Sequence, residues 1–280
     1  TGYAKQDTIS GDDKHFGWRL GRFFLTGFTR VTADENQQPV FIKTLGDSVT
    51  LWFDLEQDID ALNGNAQLSL AADANGYDQQ FGIPKTNFGR GTLIVRHTDY
   101  QNAKNEPAVY TDYLLAKGTT GANTRIVLHE EGDYEVALDY EVQDGELTHI
   151  TSKFGNYRIF LRFSIRNGNC MVYPFDLLTG AELQNTAVAE AGFSLDLARS
   201  RYLDINVRRA VLVETANGVI EDERFNRPAK DGDRYTQEGI YTISVSNRYT
   251  GESTTKTIFV GSQELLETYV RNGFSLERLK

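Results

Sequence analysis

Apolar and polar residues alternate with a period of two along much of the chain. In Ser48–Glu56, Val49, Leu51, Phe53 and Leu55 share one face and Thr50, Trp52, Asp54 and Glu56 the other, the pattern of a strand buried on one side. The same alternation runs through Tyr134, Val136, Leu138, Tyr140 and Val142, and through Tyr157, Ile159, Leu161, Phe163 and Ile165. The polar faces of these last two strands carry opposite charge, Glu135, Asp139 and Glu141 on one and Arg158, Arg162 and Arg166 on the other. Antiparallel pairing would place them across from each other, each ion pair contributing a few tenths of a kcal/mol and marking the strands as neighbours. Further strands are predicted at Phe23–Thr32, Gly91–Thr98, Asn123–His129, Tyr202–Arg209, Ile240–Asn247 and Thr254–Val260, with turn signals such as Asp34-Glu-Asn, Gln143-Asp-Gly and Tyr249-Thr-Gly between them. One segment has helical periodicity instead. Ser262 as N-cap, Glu264 and Glu267 in the first turn, an apolar stripe of Leu265, Leu266, Tyr269 and Val270, and Gly273 past the end predict a short helix over Gln263–Arg271. It either docks or begins a linker.

A weak repeat organises these elements. Glu131-Gly-Asp-Tyr134-Glu-Val-Ala-Leu returns about 107 residues later as Glu238-Gly-Ile-Tyr241-Thr-Ile-Ser-Val. An apolar or aromatic residue stands six before each tyrosine (Leu128, Tyr235) and a glycine two before it (Gly132, Gly239). This is the local pattern of a tyrosine corner, and an offset near 100 residues is one immunoglobulin-like sandwich. Tyr134 and Tyr241 are therefore assigned as structural tyrosine corners. The reading is an all-β chain of two immunoglobulin-like β-sandwich domains in tandem with a short C-terminal helix. The first domain spans 1–168 and carries a long loop excursion at 74–113, the second spans 169–261, and 262–280 form the helix or linker.

The stretch Asp231–Val260, with Tyr235-Thr-Gln-Glu-Gly-Ile-Tyr-Thr-Ile-Ser-Val at its centre, resembles the last strands of bacterial immunoglobulin-like domains on secreted and wall-attached proteins of Gram-positive bacteria. More loosely, His15-Phe-Gly-Trp-Arg-Leu-Gly-Arg-Phe, Arg166-Asn-Gly-Asn-Cys-Met-Val-Tyr-Pro-Phe-Asp and Phe225-Asn-Arg-Pro-Ala-Lys-Asp-Gly-Asp look like surface proteins of gut Firmicutes. The resemblance implies an extracellular chain, secreted or attached to the cell surface, with a binding or scaffold role, and it transfers no catalytic residue. Some surface proteins of related gut bacteria engage host immunoglobulins, so the resemblance also implies an antibody-binding variant of that role. Some Gram-positive surface sandwiches carry an internal Lys–Asn isopeptide bond, which requires three buried side chains to meet in the fold.

Composition narrows the function classes. With 39 acidic and 29 basic residues in 280, the formal charge is −10. No basic stripe exists to bind phosphates, which argues against nucleic acid and against charge-driven docking on anionic lipid. No run approaches the roughly 18 apolar residues of a membrane helix, so the chain is read as not spanning a membrane. A single cysteine, Cys170, excludes internal disulfides and cysteine-rich zinc sites. The chain starts at Thr1 and its one methionine is Met171, so it reads as a mature or trimmed polypeptide.

Enzymatic motifs are missing: no Gly-x-Ser-x-Gly elbow, Walker loop, His-Glu-x-x-His or Rossmann glycine pattern occurs. The four histidines, His15, His97, His129 and His149, are scattered, and Cys170 reads as a buried thiol beside Met171 and Val172. No cofactor and no metal are assigned. Asp54, Asp58, Asp60 and Asn63, and separately Asp231 with Asp233, offer oxygen ligands of the kind calcium takes, but without EF-hand spacing they read as solvated loops. The richest candidate for recognition is the 74–113 excursion, with Tyr77, Phe81, Phe88, Tyr100, Tyr110 and Tyr113 among Gly, Asn, Gln and Asp. Rigid aromatics amid small polar residues give contact area at small entropy loss. The alternative is that they are pins tying a long loop to its own sandwich. The leading function is a non-catalytic extracellular or cell-surface binding or adhesion protein engaging a host protein or glycan. A carbohydrate-active hydrolase with paired carboxylates, or a spacer, is the alternative.

Overall fold

The computed structural model describes residues 3–6, 21–55, 77–84, 91–115, 124–144, 153–213 and 218–274, with only the backbone of 3–6, 77, 141–144 and 153–156. The described chain is mostly strand, with one α-helix, and divides into two compact units, Thr1–Asn167 and Gly168–Lys280.

In the first unit, one sheet holds β1 (Tyr3–Gln6), β2 (Gly21–Thr26), β5 (Val49–Leu55) and β10 (Ile126–Leu128) in the order β1-β2-β5-β10. The other holds β3 (Arg30–Ala33), β4 (Pro39–Lys43), β8 (Thr92–Thr98), β9 (Ala108–Tyr110), β11 (Gly132–Asp144) and β12 (Lys153–Asn167) in the order β3-β4-β12-β11-β8-β9. Phe23, Leu25, Val49, Leu51 and Phe53 from the first sheet and Leu93, Val136, Leu138, Ile159 and Phe163 from the second form one core between them. The alternation read from the sequence is thus the inner face of a two-sheet, sandwich-like fold. Phe23–Thr32 is not one strand. The chain turns at Gly27 (φ 90°), where a Cβ would strike the Ser48 carbonyl, and β3 joins the opposite sheet.

The charge pattern on β11 and β12 fixes their register as expected. Glu135 faces Arg162 and Asp139 faces Arg158, and both pairs are in contact. Arg166 instead reaches Asp133, 2.9 Å away. The side chain of Glu141 and the turn at Gly145 lie outside the described residues.

The second unit uses β13 (Tyr173–Asp176), β15 (Phe193–Asp196) and β18 (Arg234–Tyr235) in one sheet. Its other sheet runs β14 (Ala187–Ala189), β20 (Glu252–Val260), β19 (Gly239–Asn247), β16 (Asp204–Val213), β17 (Gly218–Pro228). This order repeats β4-β12-β11-β8-β9 strand for strand. In both units the first pair is parallel, β4 with β12 and β14 with β20, and every other pair in the series is antiparallel.

The two tyrosines occupy equivalent places in this plan, each the third residue of the central strand. Tyr134 Oη donates to the Glu130 carbonyl and Tyr241 Oη to the Gln237 carbonyl, both at 2.7 Å. Gly132 (φ 150°) and Gly239 (φ 140°) precede them, and a Cβ on either would strike a neighbouring-strand carbonyl, Thr98 or Ala210. Opposite Tyr134 stands His97 and opposite Tyr241 stands Arg209. Each holds the carbonyl just before the glycine: His97 Nε2 donates to Glu131 O at 2.7 Å, and Arg209 Nε to Glu238 O at 2.9 Å.

The outer face of the larger sheet is covered differently in each unit. In the first, the hairpin β6 (Tyr77–Asp78) to β7 (Ile83–Pro84) sets Phe81 and Ile83 on Ile94, Ala137 and Phe160. In the second, α1 (Gln263–Arg271), capped by Ser262 accepting from the Leu265 N–H, sets Leu265, Leu266 and Tyr269 on Leu212, Ile240 and Phe259. The helix docks.

Candidate functional site

The six aromatics of the excursion separate into different environments. Phe81 is buried, edge-on to Phe160, with the Arg96 and Arg158 guanidiniums over its ring. Tyr113 is buried and donates to the Thr124 carbonyl at 2.7 Å; burial holds its phenol well above the ordinary range. These two are pins. Tyr100 and Tyr110 are 38% and 40% exposed. Phe88 and the side chain of Tyr77 lie outside the described residues.

Tyr100 and Tyr110 sit on the β8–β9 hairpin. Its turn is built by Asp99, whose Oδ1 accepts from the Gln101 and Ala103 N–H groups at 2.9 Å. Asn102 supplies the positive φ of 62° that the reversal needs. The hairpin is fastened to the tyrosine corner, because Asn105 Nδ2 donates to His97 Nδ1 at 2.8 Å. Tyr110 faces Leu93, five strand residues from Thr98 beside the turn, so the two tyrosines mark opposite ends of the hairpin. Ala108, Val109 and Tyr110 are all exposed, and β9 ends the sheet order. One rim thus presents two aromatics, Val109 and an edge strand.

A second cluster joins three elements. Lys43 ends β4, Asn167 ends β12, and the parallel register sets them opposite each other. Lys43 and Asn167 are buried, and Lys43 Nζ lies 2.6 Å from Asn167 Oδ1. Glu131, in the turn before Tyr134, accepts the Asn167 backbone N–H on Oε1 at 2.6 Å. Burial pulls the Lys43 ammonium below its ordinary pKa against the opposing charges of Glu131 and Asp47. Burial likewise pushes the Glu131 carboxyl up, against the Asn167 N–H, Arg166 and Lys43.

The remaining candidates are held by local structure. Asp231 Oδ1 accepts the Leu197 N–H at 2.9 Å, and Asp233 Oδ2 accepts the Lys230 N–H at 2.9 Å and the Tyr235 hydroxyl at 3.2 Å. An open groove of about 320 Å³ beside them is lined by Ser194, Leu195, Asp196, Asp231 and Gly232. Among the described residues no group of three or more His, Cys, Asp or Glu side chains is arranged to hold a metal ion. His129 is bonded to Ser48. Cys170 is buried, and burial raises its thiol above the ordinary value, which disfavours the thiolate. Asp58, Asp60, Asn63, His15, Trp18 and His149 lie outside the described residues. Among the described residues no helix is long and apolar enough to cross a membrane.

No protein-family model matches the chain, and no curated protein matches it significantly.

Sequence reasoning missed the Lys43 cluster because β4 was not read as a strand. Its signal was the run Val40-Phe-Ile before the lysine, and Glu131 was already visible as the first residue of the repeat.

Proposed function

We propose that the chain is a non-catalytic binding or adhesion module of two tandem immunoglobulin-like sandwiches, working outside a Gram-positive cell in secreted or surface-attached form. The shared strand order, the parallel strand pair in each unit and the matching tyrosine corners support the immunoglobulin-like assignment. The observation that carries the binding role is the β8–β9 rim. Tyr100, Val109 and Tyr110 are exposed on a hairpin that Asp99 and Asn105 hold in place, so a partner meets aromatic surface that needs no ordering on binding. Among the described residues β9 ends its sheet, and its outer edge offers main-chain groups to which a partner strand can pair. The partner in this reading is a host protein, immunoglobulins included, or a glycan.

The test is an array of host glycans, mucins and immunoglobulins probed with the full chain and with a Tyr100→Ala/Tyr110→Ala variant. The expected result is a partner whose affinity falls at least about tenfold in the variant. Binding that survives unchanged would remove the rim from the proposal.

A further inference from the structure

We propose that Lys43 and Asn167 are joined by an intramolecular isopeptide bond that the folded chain forms by itself, with Glu131 carrying the protons. The two side chains are buried and opposed across a parallel strand pair, and Lys43 Nζ is 2.6 Å from Asn167 Oδ1, one carbonyl bond from the carbon it attacks. Burial disfavours the charged forms of both lysine and glutamate, so it shifts Lys43 toward the unprotonated amine that attacks and Glu131 toward the protonated carboxyl that serves as acid.

The reaction balances without any co-reactant. The Nζ lone pair of neutral Lys43 attacks Asn167 Cγ, and the carbonyl π pair moves onto Oδ1. Glu131 gives its proton to Nδ2 and recovers one from Nζ. The Cγ–Nδ2 bond then breaks, ammonia leaves and the Cγ–Oδ1 double bond re-forms. An amine and a primary amide become a secondary amide and ammonia, and Glu131 ends as it began. The bond closes a loop of 124 residues. Asn167 is also the last residue of the first unit, so tension arriving from the second unit passes to β4 without peeling β12 from its neighbours.

The second unit is a built-in control. Val260 faces Gly239 as Ile165 faces Gly132, so Ser262, two residues on, stands where Asn167 stands. Ala189 pairs Val260, and continuing that parallel register places Ala191 where Lys43 stands. The glutamate is kept as Glu238, but the nucleophile and the amide are replaced by Ala191 and Ser262. One bond is expected in the chain, in the first unit.

The test is mass spectrometry of the full chain. The intact mass should lie about 17 Da below the calculated value, the loss of one ammonia. Trypsin should yield Val31–Lys85 joined to Asn167–Arg199. Both signals should vanish in Lys43→Arg and in Glu131→Gln, the latter keeping an acceptor for the Asn167 N–H but no acidic proton. An unshifted wild-type mass overturns the proposal whatever the variants do. So does a 17 Da loss that persists in Lys43→Arg, which would identify a succinimide at Asn167-Gly168. Retention of the link in Glu131→Gln would overturn the role of Glu131.

Discussion

The two units build the same central sheet and pack apolar side chains on its outer face, but they hold that cover in place by different means. In the first, the β6–β7 hairpin is latched by charge. Arg158 contacts both Asp78 and Asp139 and donates to Gln80 Oε1 at 2.8 Å, while Phe81 lies beneath two guanidiniums. Burial pushes Asp78 up, but the hydrogen bonds and charge of Arg158 and the Phe81 and Gln80 N–H groups together hold its carboxyl below the usual value. In the second unit the cover is apolar. Tyr269 is 1% exposed, edge-on to Phe259, and its hydroxyl accepts the Leu212 N–H at 3.0 Å. A conserved plan of strands can thus carry unlike additions, since the tyrosine corner and its supporting carbonyl contact lie elsewhere, at the start of the central strand.

The largest effect that would break this contrast is at the latch. Arg158→Ala removes the guanidinium that pairs with buried Asp78 and Asp139 and should cost the first unit about 3 kcal/mol in urea unfolding, leaving the second unit unchanged. Next comes the helix. Tyr269→Ala should cost about 2 kcal/mol, read as lost hydrogen-exchange protection in α1 with the sheet beneath still protected, because the helix can undock before the sandwich opens. A global loss of protection would show the helix to be part of the core. The shared features come third: Tyr134→Phe and Tyr241→Phe should each cost about 1 kcal/mol by denaturation, the worth of one hydrogen bond. Unequal costs would mean that the corners are not equivalent. The smallest effect is at the rim, where Tyr110→Ala should change stability by less than about 0.5 kcal/mol, in contrast to Phe81→Ala at about 3 kcal/mol.

Much of this plan is legible in the chain. β5, β11 and β12 are long and carry a bulky apolar residue at every second position, so alternation marks them. The opposed charges on β11 and β12 specify their register because a one-residue slip of either strand would turn its charged side chains toward the core between the two sheets. The helix was readable from its cap and stripe. Short strands escape this logic. β4 reads as a continuous apolar run ending in lysine, since Val40, Phe41, Ile42 and Lys43 are all buried, and β17 is an exposed edge strand with no apolar face to alternate. The sorting of the aromatics was equally invisible. Phe81 follows Asp78, Gln79 and Gln80 and Tyr110 lies between Asn105, Glu106 and Asp112, polar neighbours in both cases, and only the fold brings Arg96 and Arg158 over one and leaves the other at an edge. The Lys43 cluster joins residues 43, 131 and 167, whose meeting depends on a parallel pairing that local pattern does not encode.

The contrast between a charged latch and an apolar cover is tested most directly by an NMR pH titration of the full chain. A carboxyl lowered in the folded state stabilises above its unfolded pKa, about 3.9, and that contribution disappears as pH falls through the lower folded value. Asp78 should therefore titrate below about 3.9, and the Gln80 and Phe81 amides bonded to it should shift with it, while the Leu212 amide that reports helix docking stays in place. Asp78 titrating at or above the ordinary value, or the Leu212 amide moving in step with it, would contradict the account.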